Sequence, residues 1–423
     1  MAFLGMRGTG DWATDERPYN WRQGILFLYP NGSAPLTALL SKMGEESVDD
    51  PQFHWWTKSL ASQRATVTGV YTSVNLSSAY TSGGTAGQTL YVKMSEADAD
   101  QFRAGHQVLL RCSTDLDVDV NGKVTAVFKD GASSYIAVKL LEADDNSASH
   151  DLSDCNTALI IGNINPEGGA TPDAIAYDPT KLYNYTQIFR TPLEITRTAQ
   201  KTKLRTADAY KEAKREALEI HSIEMEKAFL FGKKSESTGA NGKPERTTDG
   251  LISCIKDNAT TNLFNFVTDT DYSGQTWIQG GEDWLDESLE VIFRYGSNEK
   301  LAFCGSGAVL GINRIAKSSG NINLTPRDIG YGLKVMEWLT PFGVIYLKTH
   351  PLLSYEATNR NMMVVFEPAK LKYRYIDDTT FKKDRQDPGT DGSKDEYLTE
   401  CGLEYHHPSA FGILNGMNQD NAV

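Results

Sequence analysis

Residues 224–232 read Glu224-Met225-Glu226-Lys227-Ala228-Phe229-Leu230-Phe231-Gly232. A charged, glycine-containing loop then leads to Thr247-Thr248-Asp249-Gly250-Leu251-Ile252. The first stretch ends a long polar helix that starts at about Thr206. Thr206 suits the N-cap, and Asp208 places a negative charge at the positive end of the helix dipole. Gly232 suits a left-handed closing residue, with Lys233 and Lys234 near the negative end. Tyr210, Ala213, Ala217, Ile220, Ala228 and Phe231 recur at three- and four-residue spacing and predict one thin apolar stripe. Glu224 interrupts it, and Leu218, Met225 and Phe229 fall to one side. Glu212 with Arg215, Arg215 with Glu219, and Glu224 with Lys227 are at helix-neighbour spacing. About 26 residues at 1.5 Å each span roughly 39 Å. That is too long and too polar to be wrapped inside one globule. The prediction is a spine lying across a sheet, its charged face open to solvent or to another subunit. Taken alone, the helix reads as a surface helix of an ordinary enzyme.

The 423 residues suffice for two or three domains, and 40 % apolar with 23 % charged residues is a globular composition. No apolar run approaches the ~18 residues that would cross a membrane. The N-terminal Met1-Ala2-Phe3-Leu4-Gly5-Met6-Arg7 has no secretory apolar core, so the expected location is the cytosol of the cell that makes the chain. Cys112, Cys155, Cys254, Cys304 and Cys401 are scattered, with no CxxC pair, and read as buried free thiols rather than a disulfide framework or zinc site. The net charge of −13 comes without a basic stripe, which argues against a direct grip on nucleic acid.

Residues 1–62 read as an extended arm with little core of its own. Asn31-Gly32-Ser33-Ala34-Pro35 turns into a short helix with Leu36, Leu39, Leu40 and Met43 on one face and Gly44 at its end. Phe53-His54-Trp55-Trp56 follows. Such aromatics, without a local core, must pack on another domain or another subunit. Strands are predicted at Thr66–Val74, Leu90–Met94, Gln107–Cys112, Lys123–Phe128 and Tyr135–Leu141, with hairpin turns at Asn121-Gly122 and Asp130-Gly131. Residues 88–160 therefore read as a small inserted β domain. Residues 161–200 look extended, with strands at Tyr183–Arg190 and Leu193–Arg197. Beyond the spine helix, 246–350 reads as α/β. Helices are expected around Trp284–Phe293 and Ala308–Ala316, a buried strand at Leu301–Cys304, and a hairpin about Thr340-Pro341-Phe342-Gly343. Three final strands, Met362–Phe366, Leu371–Tyr375 and Tyr397–Tyr405, complete the pattern.

Candidate chemistry is thin. Asp117-Val118-Asp119-Val120-Asn121-Gly122 resembles the start of a calcium loop, but the twelfth position is Phe128 where a bidentate Glu is needed. A hairpin strand with one polar face is the better reading, with a weak cation site at Asp117 and Asp119 as the alternative. Gly305-Ser306-Gly307-Ala308-Val309-Leu310-Gly311 follows a strand and opens a helix, as a dinucleotide-binding turn would. Its spacing is GxGxxxG, and no acidic strand end follows, so a tight strand-to-helix turn is preferred. His406 and His407 are adjacent and would point to opposite faces of a strand. No nucleophile elbow or P-loop is present. No catalytic residue, cofactor or metal ligand is therefore assigned.

The order of parts resembles the major capsid proteins of tailed bacteriophages with the Hong Kong 97-type fold. The resemblance runs over nearly the whole chain. It is carried most by Glu226–Gly232 with Asp249-Gly250-Leu251-Ile252, and next by Tyr397–Tyr405 followed by Pro408, Ala410, Phe411 and Gly416. It implies an α+β fold with an N-terminal arm (1–62) and an E-loop (63–200) carrying the inserted β domain. The spine helix and loop of the P domain (201–245), the A domain (246–350) and a return to the P domain (351–423) would follow. It also implies pentamers and hexamers of one chain in an icosahedral virion head around nonspecifically held double-stranded DNA. The head would be assembled in the host cytoplasm with no membrane. A portal is expected; since no long helical segment precedes the arm, the resemblance implies a separate scaffolding protein, or none, and a decoration protein is an open partner. The expected interface residues are Leu36, Leu39, Leu40, Phe53, Trp55, Trp56, Phe229, Phe231, Glu400 and Phe411. The alternatives are an encapsulin-type compartment shell and an α/β nucleotide-binding enzyme using the Gly305–Gly311 turn.

Overall fold

Alternating burial along Gln52-Phe53-His54-Trp55-Trp56-Thr57 is what a half-buried strand requires, and the computed structural model places a strand there. The structure describes residues 36, 45–58, 63–144, 150–169, 171–202, 209–319, 324–329 and 333–422. In chain order the first strands are β1 (Glu45–Ser47) and β2 (Gln52–Thr57). Two units are formed, one from residues 1–55 and 181–423 and the other from 56–180.

The second unit is a closed six-stranded antiparallel barrel. Its strands are β3 (Arg64–Tyr71), β4 (Thr89–Met94), β5 (His106–Arg111), β6 (Asp119–Phe128), β7 (Tyr135–Leu140) and β8 (Thr157–Asn163), in the order β3-β4-β7-β6-β5-β8. A short helix, α1 (Glu96–Ala99), starts at Ser95, whose side chain accepts from the Asp98 N–H. Inward residues such as Leu90, Val108, Val124, Ile136 and Val138 are fully buried and form one core inside the barrel. Closure removes every unpaired edge. The barrel begins at Arg64, so its first strand lies well before residue 88, and β8 closes it. The expected Asn121-Gly122 hairpin is not a turn. Both residues sit inside β6, opposite Leu109 and Val108. Gly122 is required by closeness, because a Cβ there would lie 2.2 Å from Val138 Cγ1. The real turns fall at Cys112–Val118 and Lys129–Ser134; the second contains Asp130-Gly131 as expected.

The first unit is built on two sheets. Strand β9 (Thr180–Tyr185) pairs with β2, and β10 (Gln187–Thr196) leads into the short helix α2 (Arg197–Lys201) and the spine helix α3 (Ala209–Phe231). The expected cap at Thr206 and Asp208 lies outside the described residues. A hairpin, β11 (Ser235–Thr238) and β12 (Pro244–Thr247), connects to helix α4 (Leu251–Asn258). Then come β13 (Leu263–Asn265), α5 (Trp277–Phe293), β14 (Glu299–Cys304) and α6 (Ser306–Ser319). The hairpin strands β15 (Leu324–Ile329), β16 (Leu333–Thr340) and β17 (Gly343–Thr349) follow, then α7 (Pro351–Tyr355). The chain ends through β18 (Met363–Phe366), β19 (Leu371–Lys382), β20 (Gly392–Tyr405) and β21 (Gly412–Asn415).

The four-stranded sheet has the order β1-β19-β20-β10, and the seven-stranded sheet β13-β21-β18-β14-β17-β16-β15. The second draws strands from both sides of residue 350. Alternate residues of its central strand β14 serve different cores. Leu301 and Phe303 join Ile252 and Ile255 of α4, whereas Ala302 and Cys304 join Leu285 of α5 and Ile312 of α6. Each large side chain buried this way stabilises the fold by roughly 1.5–3 kcal/mol.

The spine helix lies on the four-stranded sheet, but its buried stripe differs from the expected one. Ala217, His221, Met225 and Phe229 form the inner line, spaced by four, while Ile220 and Phe231 are exposed. Hydrophobicity alone could not select His221. It is buried because both ring nitrogens are satisfied: Nδ1 lies 2.9 Å from Thr191 Oγ1 and Nε2 lies 2.8 Å from Thr399 Oγ1. Nor is Gly232 in the left-handed region. Its need is space, since a Cβ would lie 2.4 Å from the Ala228 carbonyl oxygen and 2.6 Å from that of Thr248.

Candidate assembly surfaces

The two stretches that carry the resemblance meet in space. Asn184 of β9 donates to the carbonyl of Leu403 at 2.6 Å and accepts from the Asp249 N–H at 2.8 Å. Thr248 Oγ1 accepts from the Leu403 N–H at 3.3 Å, and Tyr405 donates to Asp249 Oδ2 at 2.9 Å. Gly250 N–H closes onto the Gly232 carbonyl at 2.9 Å. The end of the spine helix, the start of α4 and the last long strand are thus locked by one buried polar knot. Asn184, Thr248, Asp249 and Tyr405 are all fully enclosed there. Burial drives the Tyr405 phenol far above its usual range, aided by Cys254 and Asp249, so it stays a donor.

A second knot ties down the arm. Glu226 Oε1 of the spine helix accepts from the Leu36 N–H at 2.8 Å and from His350 Nε2 at 2.7 Å. His350 Nδ1 in turn accepts from the Leu352 N–H at 3.2 Å, capping α7. Phe53 stacks on Trp55 at 5.8 Å, and Trp55 meets Tyr405 edge-on at 5.0 Å.

These contacts correct the interface expectation. Leu36, Phe53, Trp55, Phe229 and Phe411 are buried in the chain's own core. They pack on the same unit and are closed to a neighbour. Leu39 and Leu40 lie outside the described residues. Trp56 is 61 % exposed and Phe231 39 %. Glu400 is half-buried and accepts from Thr186 Oγ1 at 3.0 Å. Sequence reasoning missed the barest large apolar side chains among the described residues: Tyr355 is 79 % exposed, Leu116 77 % and Leu339 68 %. Two of them, Leu116 and Leu339, sit in hairpin turns or at a strand end, and Tyr355 ends α7. A single large apolar residue beside a turn was the available signal.

The other candidate sites resolve as local structure. At the Gly305–Gly311 turn, the Ser306 N–H donates to Ser354 Oγ at 3.1 Å. The Gly307 and Ala308 N–H groups share the Arg360 carbonyl at 3.0 and 3.2 Å. A Cβ on Gly305 would lie 2.2 Å from that same oxygen. The donors that would cradle a phosphate are taken by the chain itself. His406 bonds Glu404, and His407 is left-handed, with φ 49°, as it opens the final turn. Asp119 starts β6, paired with Arg111. Asp117 instead lies with Asp115 and His150, their ligand atoms within 4.8 Å of one another. His150 already pairs with Asp115, and that bond raises the imidazole and lowers the carboxyl relative to their usual values.

The described residues thus show bare apolar side chains at turns and element ends, and a glycine turn closed by the chain's own backbone. The chain belongs to the SU10 major capsid protein family, which it matches over residues 20–418. It is 25 % identical over 416 residues to the major capsid protein of Pseudomonas phage PaMx41, covering 93 % of this chain and 91 % of that one. Among solved structures, a chain from Mycobacterium phage Adephagia is 9 % identical with a TM-score of 0.45, covering 97 % of this chain and 98 % of its own. The holo-SrpI encapsulin complex from Synechococcus elongatus PCC 7942 is 13 % identical with a TM-score of 0.39, covering 58 % and 77 %. The protein is a structural capsid protein of α+β fold, and its place is the virion capsid.

Proposed function

We propose that the chain assembles into pentamers and hexamers that close an icosahedral head around double-stranded DNA held without sequence preference. Family membership over residues 20–418 carries this reading. The net charge of −13 supports it, because an acidic wall does not grip packaged DNA. In this reading 1–62 is the arm, 63–200 the extended loop carrying the barrel, 201–245 the spine, 246–350 the A domain and 351–423 the return. The exposed Trp56 and Phe231 and the half-buried Glu400 remain the interface candidates, and the barrel reinforces contacts between capsomers. A portal and a separate scaffolding protein act in the host cytoplasm.

Negative-stain microscopy of the expressed chain tests the reading. Closed shells of uniform size are expected, and particles from infected cells should carry nuclease-protected DNA. Monomers at high concentration would overturn it, and an enzyme cargo in place of DNA would favour the encapsulin-type shell.

A further inference from the structure

Helices α5 and α6 lie on the same face of the seven-stranded sheet and share one core. Their charges are opposite. Between Trp277 and Phe293, α5 carries Glu282, Asp283, Asp286, Glu287 and Glu290 and no Lys or Arg. Between Ser306 and Ser319, α6 carries Arg314 and Lys317 and no Asp or Glu. Among the described residues no ion pair joins the two helices. The spacing within α5 sets Glu282 against Asp286 and Asp283 against Glu287 as like-charge neighbours. Each such pair costs an isolated helix about 0.2–0.5 kcal/mol. Burial, with Glu282 and Asp283 beside it, raises the Asp286 carboxyl above its usual value.

The acidic face borders a groove. Glu282, Leu285 and Asp286 of α5 form one wall, and Trp338, Leu339 and Pro341 at the end of the β16–β17 hairpin form the other, around about 330 Å³. Leu339 stands 68 % exposed at its rim. The groove thus offers an apolar rim next to two carboxylates.

The matching surface is on α6. Leu310, Arg314 and Lys317 fall at i, i+4 and i+7, so an exposed leucine and two exposed cations share one stripe. Arg314 leans on Asn418 Oδ1 at 2.7 Å and keeps its charge open to solvent. Exposed Arg360 lies beside the start of this helix, where its carbonyl takes the Gly307 N–H.

We infer that the α5–hairpin groove of one copy receives the Leu310–Arg314–Lys317 stripe of a second copy. Leu310 meets Leu339, and the two cations meet Glu282 and Asp286. The patches differ, so the contact is head to tail and repeats around a ring when the rotation closes. Opposed charge sets the register and partner choice, while the apolar pair supplies burial. This inference rests on the assembly reading above and names the surfaces that perform it.

Charge exchange tests it. Glu282→Lys with Asp286→Lys, and separately Arg314→Glu with Lys317→Glu, should each lower the yield of closed shells about tenfold or more, the effect of losing roughly 1.4 kcal/mol per contact. All four reversals in one chain should bring assembly back to within about threefold of the unchanged protein, since every contact regains an opposite charge. Leu339→Asp should lower the yield as well, and because that side chain is bare its thermal melt should not move. If the unchanged protein forms no shells, the assembly reading itself fails. If it forms shells and either double reversal or Leu339→Asp forms them equally well, this contact is wrong. A quadruple variant no better than the doubles, with melts intact, overturns it too, because the groove then receives some other basic partner.

Discussion

The phenol of Tyr405 donates to Asp249 Oδ2 across 2.9 Å, joining the last long strand to the turn that follows the spine helix. The two residues are 156 positions apart. Both are fully buried, and Lys234 Nζ, 3.9 Å away, is the cation beside the carboxylate. Tyr405→Phe keeps the ring and its contact with Trp55 but deletes the donor. Its cost should be about 1.5–3 kcal/mol, the range for a hydrogen bond to a charged group. Urea denaturation reads it; an unchanged midpoint would show that the knot does not hold the junction.

Trp55 and Trp56 are neighbours with opposite roles. Trp55 is 5 % exposed against Tyr405 and Phe53, so Trp55→Ala should destabilise the subunit by about 3–5 kcal/mol. Trp56→Ala, at a side chain 61 % exposed, should cost the subunit about 1 kcal/mol or less, clearly below the loss at Trp55, and its larger effect belongs to assembly. Denaturation curves of the two variants side by side decide this; equal losses would contradict the assignment.

Gly122 is the tight point of the barrel. Gly122→Ala drives a methyl to within 2.2 Å of Val138 Cγ1, and about 1–3 kcal/mol should be lost. Val138→Ala makes room, so the double variant should lose less than the sum of the singles. A purely additive result in a double-mutant cycle would place the strain elsewhere.

Glu404 and His221 set two acid windows. Burial alone would raise the Glu404 carboxyl, but bonds from His406 and Arg374 outweigh it and hold it below the ordinary 4.5. Its folded value is depressed, so its contribution is complete above pH 4.5 and is lost as pH falls through the folded value. Burial also holds His221 below the ordinary 6.5. Its contribution is complete above pH 6.5 and is lost as pH falls through its folded value. Unfolding free energy measured from pH 8 to pH 3 should therefore fall in two stages. Glu404→Gln should shrink the lower stage and His221→Gln the upper one, the remainder coming from Glu46 below and from His106 and His407 above, all held under their ordinary values. Variants that keep the unchanged protein's pH profile would sink the assignment.

Much of the element layout was legible. The helix end at Phe231, the α5 and α6 helices, the hairpin about Thr340–Gly343 and five of the six barrel strands overlap their expected places. Each has a local signal, a repeat of 2 or 3.6 residues or a turn. The misses share a cause. Asn121-Gly122 has turn chemistry, but at Gly122 the glycine serves the neighbouring strand, which sequence cannot show. His221 is polar in an apolar stripe, and only Thr191 and Thr399 make it a core residue. Trp55 carries the signal of a residue that needs a cover, without naming the cover.

The sequence by itself determined the main helices, most of the barrel strands, the acidic balance and the capsid family, because propensity, spacing and motif are properties of neighbouring residues. The tertiary structure decided which apolar residues are spent inside the subunit and which remain for a neighbour. Partners such as Asn184 and Leu403 are 219 positions apart, and β1 finds β19 across more than half the chain. Periodicity says which side chains share a face; only the packed arrangement says what lies against it.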